Sequence, residues 1–202
     1  MRLGLFGGTF DPIHVGHLIL AEQCREACGL DMLWFVVAGA PPHKPGDRTA
    51  ASHRLEMVRI AIAGHESFAV SEIETQRPGP HYSVETLEAV RREQPDAELF
   101  FLIGADSLAD LPGWREPERI ASLATIVVVN RPGLDQVDLA SLPDFGPGSH
   151  PLVGVTIPPI GISSSDLRRR LVEGRSIRYM VPRGVEAYIK AEGLYRDPRR
   201  PG

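Results

Sequence analysis

Apolar residues fall into two alternating patterns along this chain. Short continuous runs occur at Leu3–Phe6, Leu33–Ala38, Phe68–Ile73, Leu99–Ile103, Ile126–Val129 and Val153–Ile157. Most lack the polar alternation of a strand with one wet face, so they read as strands buried on both sides. Between the runs, apolar positions recur at helical spacing. Leu18, Ala21, Cys24 and Cys28 form one stripe, with Gly29 placed to end the helix; Leu55, Val58 and Ile62 form another, followed by Gly64. The first of these helices is expected to start near Ile13, after Asp11-Pro12. Ser83 is the expected N-cap of a helix reaching Glu93, and Pro117 suits the first turn of one reaching about Ala124.

Strands alternating with helices predict parallel β-α-β units in an open, doubly wound α/β sheet forming a single domain. Ligands of such sheets bind beyond the carboxyl ends of the strands, near the point where strand order reverses. The loops that follow strands are therefore where chemistry is expected. Ala40–Asp47, expected to move on binding, and Asp135–Pro151 read as Pro- and Gly-rich loops. Residues 196–202 read as a basic, disordered tail on a domain spanning 1–195.

Composition changes this picture little. The chain has 202 residues, 43% hydrophobic and 24% charged, enough for one domain with a substantial core. A net charge of −4 argues against nonspecific nucleic-acid binding as its main task. No signal-like start and no bilayer-length apolar run is present, so a cytoplasmic protein without membrane attachment is expected. Its oligomeric state is open, a homo-oligomer included. Cys24 and Cys28, four residues apart, read as small core residues rather than a metal or disulfide framework.

The first strand ends in Gly7-Gly8-Thr9, and two histidines, His14 and His17, lie on one side of the helix start that follows. Glycines let backbone approach a ligand, and a helix start offers free N–H groups and a positive dipole end to an anion. Neither the Walker pattern nor G-x-G-x-x-G is present, which makes an NAD-dependent dehydrogenase improbable. A second candidate anion site is Ile162-Ser163-Ser164-Ser165-Asp166-Leu167-Arg168, where Ser163 can cap a helix, Asp166 nearly completes a capping box, and Arg168 can reach a phosphate. Pro41-Pro42-His43-Lys44 offers a donor and a cation. Asp106, in Gly104-Ala105-Asp106-Ser107 after the fourth run, suits a ribose or an N-cap, and Trp114 can stack on a ring or cover the core.

Gly8-Thr9-Phe10-Asp11-Pro12 with His14-x-Gly16-His17, and the Ile162–Arg168 segment, resemble the nucleotidyltransferase superfamily with the (T/H)xGH motif. PPHK, Arg77-x-Gly79-x-x-Tyr82-x-x-x-Thr86-Leu87, GADS with LPxW, and Tyr179-x-Val181-Pro182-x-x-Val185-x-x-Tyr188-Ile189 narrow the resemblance to bacterial nicotinate-mononucleotide adenylyltransferases. That resemblance implies a Rossmann-like fold and transfer of AMP from ATP to nicotinate mononucleotide, giving nicotinate adenine dinucleotide and pyrophosphate. Attack would be direct and in line, without a covalent intermediate. His14, His17, Lys44 and Arg168 would be catalytic. Gly7, Gly8, Thr9, Phe10, His17, Gly104, Asp106, Ile162, Ser163, Ser164 and Arg168 would contact ATP. Thr9, His43, Lys44, Tyr82, Thr86, Trp114 and Arg131 would contact nicotinate mononucleotide. Mg²⁺ would arrive on the ATP, with no protein metal ligands. His81, Ser83 and Arg115 depart from the family's common residues. A phosphopantetheine adenylyltransferase and a catalytically idle nucleotide-binding regulator are the competing readings.

Overall fold

The computed structural model describes residues 1–39, 49–130 and 145–196. Six parallel strands form one sheet: β1 (Arg2–Gly8), β2 (Met32–Val37), β3 (Phe68–Ser71), β4 (Glu98–Gly104), β5 (Thr125–Asn130) and β6 (Val153–Thr156), ordered β3-β2-β1-β4-β5-β6. All six expected strands are present. The order reverses between β1 and β4, which pair in parallel from Arg2–Glu98 to Phe6–Leu102, and so the switch point lies beyond Gly8 and Gly104. Side chains of successive residues enter opposite cores: Phe100 and Leu102 join Phe6, Phe35 and Val127 on one face, while Leu99, Phe101 and Ile103 join Leu5, Val36 and Leu87 on the other. Two covered faces explain why these strands read as continuous apolar runs.

Helices α1 (Val15–Cys28), α2 (Ala51–Ile62), α3 (Ser83–Glu93), α4 (Ala105–Leu108), α5 (Pro117–Leu123), α6 (Ser164–Val172) and α7 (Arg183–Ala191) flank the sheet. Gly29 ends α1 in the left-handed region at φ 57°, as its place in the sequence implies, and Cys24 and Cys28 are free, buried thiols. Three helix starts differ from expectation. Helix α1 begins at Val15 rather than near Ile13, because His14 is still extended (φ −144°, ψ 169°) and serves as the N-cap. Tyr82, not Ser83, caps α3, since its carbonyl accepts the first helical bond from the Thr86 N–H. Asp106 is not an N-cap: β4 stays extended through Gly104, which takes that place and leaves Asp106 inside the first turn. Helix α7 was not anticipated; its Val185, Tyr188 and Ile189 pack into the core that α2 also lines, with the Tyr188 hydroxyl 2.8 Å from His53 Nδ1. Among the described residues, no helix is long and apolar enough to cross a membrane.

Candidate active site

Beyond β1 the chain turns through Thr9–His14 before α1 begins. Phe10 makes that turn with φ 49°, a left-handed conformation for a non-glycine residue, held in place by its own burial. Its ring, 1% exposed, packs edge-on against Phe6 (5.4 Å) and His17 (5.1 Å), so only its backbone can meet a ligand. His14, 6% exposed, stacks on His17 with ring centroids 3.7 Å apart. The His14 backbone N–H donates to His17 Nδ1 (3.2 Å). Because Nδ1 accepts, the neutral His17 ring carries its proton on Nε2, as a donor. Gly16 makes this stack fit: a Cβ there would lie 3.0 Å from His14 Nδ1 and 3.1 Å from Ile160 Cγ2.

The second helix start faces the first. The Ser163 hydroxyl accepts from the Asp166 N–H (3.2 Å), the expected cap, while the Asp166 carboxylate pairs with Arg169 instead of completing a box. A cleft of about 200 Å³ is lined together by His14, Gly16 and His17 from one motif and Ile162, Ser163 and Ser164 from the other. Two hydrogen bonds fasten the two starts to each other, and a third holds the first start to the segment after α7. Arg168 Nη1 donates to the Asp11 carbonyl (2.6 Å), the Ser164 hydroxyl to the Pro12 carbonyl (2.9 Å), and the Tyr195 hydroxyl to Asp11 Oδ1 (2.5 Å). Burial, with the Asp11 hydrogen bond, pushes the Tyr195 phenol far above its ordinary value, so this contact persists as a donated proton.

Gly7, Gly8 and Thr9 line the end of β1, and Gly104 and Asp106 are exposed at the end of β4, both at the switch point. Trp114, half-buried, meets Phe101 of β4 edge-on at 6.3 Å. Arg115 clasps this loop to α3, its guanidinium 4.7 Å from the Tyr82 ring centre and 2.9 Å from Glu85. Thr86 is buried on the same helix start, its hydroxyl donating to Glu74 Oε1 (2.8 Å). His43, Lys44 and Arg131, with the Ala40–Asp47 loop, much of Asp135–Pro151 and the tail from 197, lie outside the described residues. Among those described, no group of three or more His, Cys, Asp or Glu could hold a metal.

Sequence reasoning missed Arg54, Glu74 and Tyr195. Arg54 is 2% exposed, and its guanidinium donates to the carbonyls of Thr9 (2.9 Å), Ala38 (2.8 Å) and Thr49 (2.9 Å). It thereby ties the loops after β1 and β2 to the start of α2. A signal existed: Arg54 stands one turn before Met57 and Val58 on the apolar stripe of α2, where a cation needs buried partners.

Residues 5–170 match the family described as cytidylyltransferase-like, and the chain belongs to that family of nucleotidyltransferases. Relatives named "Probable nicotinate-nucleotide adenylyltransferase" include one from Thermomicrobium roseum, 52% identical over 96% of this chain and 92% of its own. Another, from Thermus thermophilus, is 50% identical over 97% of this chain and 100% of its own. At such identity over such length, the chain is a member of the nicotinate-nucleotide adenylyltransferase family of enzymes. A solved structure titled Plasmodium falciparum nicotinic acid mononucleotide adenylyltransferase complexed with NaAD superposes with TM-score 0.78, at 21% identity, covering 96% of this chain and 97% of that one. That likeness establishes the shared fold.

Proposed function

We propose that the chain transfers AMP from ATP to nicotinate mononucleotide, releasing nicotinate adenine dinucleotide and pyrophosphate. The observation that carries this reading is the single cleft lined by both anion-binding helix starts. One helix start can hold one phosphate; two that face each other suit a polyphosphate. The acceptor's phosphate monoester has a second pKa of about 6, so at neutral pH it is already a nucleophile and needs no general base. Catalysis then consists of aligning the attacking oxygen with the α-phosphorus and stabilising charge on the departing pyrophosphate. His17 Nε2–H, His14 and the Ser163 and Ser164 helix start donate toward the phosphates, and Arg168 supplies a guanidinium from the second turn of α6. Gly104 and Asp106 take the adenosine ribose. Tyr82, Thr86 and Trp114 flank the acceptor ring, and by family resemblance Lys44, His43 and Arg131 complete the charged set.

Nucleotidyltransferases usually require a divalent metal. The polar side chains described in the cleft, His14, His17, Ser163 and Ser164, form no carboxylate cage, which fits Mg²⁺ held by ATP phosphates and water. When bound, it supplies neutralisation of the polyphosphate charge.

Pyrophosphate release from ATP, measured in parallel with nicotinate mononucleotide, nicotinamide mononucleotide and phosphopantetheine, tests this. Fastest release with the first is expected. Preference for phosphopantetheine would overturn the acceptor, and no release with any acceptor would favour a nucleotide-binding regulator.

A further inference from the structure

Along the edge strand β3 runs a groove of about 570 Å³, the size of a small-molecule site, which shares no residue with the cleft between the two helix starts. Trp34, Val70, Ile73 and Ala89 supply its apolar lining, and Arg77 and Arg92 its cations. Arg77 is half-buried and anchored by a single bond, Nε donating to the Ile73 carbonyl at 2.8 Å. Neither terminal nitrogen has a hydrogen-bond partner among the described residues; Nη2 is buried, while Nη1 reaches the surface. A buried donor on a charged group costs stability until something satisfies it.

The carboxylates nearest in the chain are already spent. Glu72 pairs with Arg59 and accepts from the Gln76 amide at 3.3 Å. Glu74 accepts from the Thr86 hydroxyl at 2.8 Å and from the Gly39 N–H, just past β2, at 3.3 Å. Arg92, exposed one turn beyond Ala89 on α3, has no ion-pair partner among the described residues. Glu93 is the remaining carboxylate of the lining, one against two guanidiniums. A guanidinium held at Nε presents Nη1 and Nη2 as a planar fork that matches two oxygens of a carboxylate or phosphate. An oxyanion docking on Nη1 brings its second oxygen toward Nη2. The half-buried Trp34 offers an indole against which a flat ring can pack. We propose that this groove is a second ligand site, separate from the active site, for a small ring-bearing oxyanion. Its carboxylate or phosphate sits on Arg77 and Arg92, and its ring against Trp34.

The chain has two tryptophans, so Trp114→Phe leaves Trp34 as its one indole and a local reporter on the groove. Phenyl phosphate, benzoate and inorganic phosphate are titrated into that full-length protein, with nicotinate adenine dinucleotide saturating the active site, and Trp34 fluorescence is followed. Phenyl phosphate or benzoate is expected to bind and shift the emission, and to bind more tightly than inorganic phosphate. Arg77→Met should weaken that binding about ten- to hundredfold, the range for losing hydrogen bonds to a charged group. Arg77→Lys, which keeps the charge without the fork, should recover only part of it. Circular dichroism checks the fold of each variant; where Arg77→Met does not fold, the exposed Arg92→Met carries the test and should weaken binding too. No response of Trp34 to either ring-bearing probe, affinity unchanged in the folded Arg77 or Arg92 variants, or displacement of the probe by the dinucleotide overturns the proposal. Inorganic phosphate binding as tightly as phenyl phosphate overturns the part given to the ring.

Discussion

Gly16→Ala sets a gain in backbone order against a steric intrusion, and the structure says which wins where. Alanine is favoured over glycine in a helix by about 1 kcal/mol, and Gly16 lies in the first turn of α1. The new Cβ, however, would sit 3.0 Å and 3.1 Å from two atoms of the His14 ring and 3.1 Å from Ile160 Cγ2. Comfortable carbon contacts lie at about 3.5–4.0 Å, so each neighbour must yield several tenths of an ångström. His14 cannot retreat freely, because His17 stacks on its other face at 3.7 Å. Overpacking of this kind costs about 1–3 kcal/mol, so stability should change by no more than about 2 kcal/mol net. Activity is more exposed, since the displaced stack carries both candidate phosphate donors. Misplacement of about 1 Å can cost about 10²-fold in rate, and a shift of several tenths should lower kcat about tenfold. Pyrophosphate release at saturating ATP, with urea denaturation in parallel, separates the two effects. Wild-type kcat in a folded Gly16→Ala protein would refute the claim that Gly16 is small for the sake of the histidine stack.

Removing the His17 donor altogether, in His17→Ala, should lower kcat by about 10²–10³-fold, the loss seen for one preorganised donor to a transition-state oxyanion; single-turnover kinetics check this, and a purely KM effect would count against it. Tyr195→Phe strips Asp11 Oδ1 of a buried donor and should cost about 1.5–3 kcal/mol in urea denaturation, with a raised KM for ATP. Burial pushes the Cys24 thiol from its ordinary 9.0 up to about 12. The folded state then keeps a proton that the unfolded state loses, so the stability Cys24 contributes is full below pH 9 and drains away as pH rises toward 12. Cys24→Ala should flatten that alkaline decline in pH-dependent denaturation curves, and an unchanged slope would contradict it.

The sheet was legible because a strand covered on both faces has no polar positions to interrupt its pattern, as in Leu99–Ile103. Both candidate anion-binding helix starts were legible as helix starts because glycine, serine and histidine there announce themselves locally. Helix starts were misplaced by a residue or two where capping came from an unconventional residue, His14 and Tyr82, or where a strand ran on through Gly104. Helix α7 went unread because only the core supplied by α2 makes its short apolar stripe meaningful. Glu74 and Tyr195 were invisible for a different reason, and Arg54 showed only as a cation on an apolar stripe, its partners unread. Their partners are backbone carbonyls, a backbone N–H, or side chains remote in sequence, and no local spacing encodes such pairings.

The bonds that fasten one helix start to the other span 152 and 157 residues of chain, and the bond from Tyr195 to the first start spans 184. During synthesis, the ribosome therefore delivers the glycine-histidine turn long before anything exists to close over it. A nascent chain that has completed β1 and α1 can fold its first β-α unit, yet it owns only half a grip on ATP. Nucleotide affinity should appear late and abruptly, when Tyr195 docks, rather than growing as the sheet widens. ATP would then act as a reporter on the last step of folding, and its binding energy would be available to pull that step to completion.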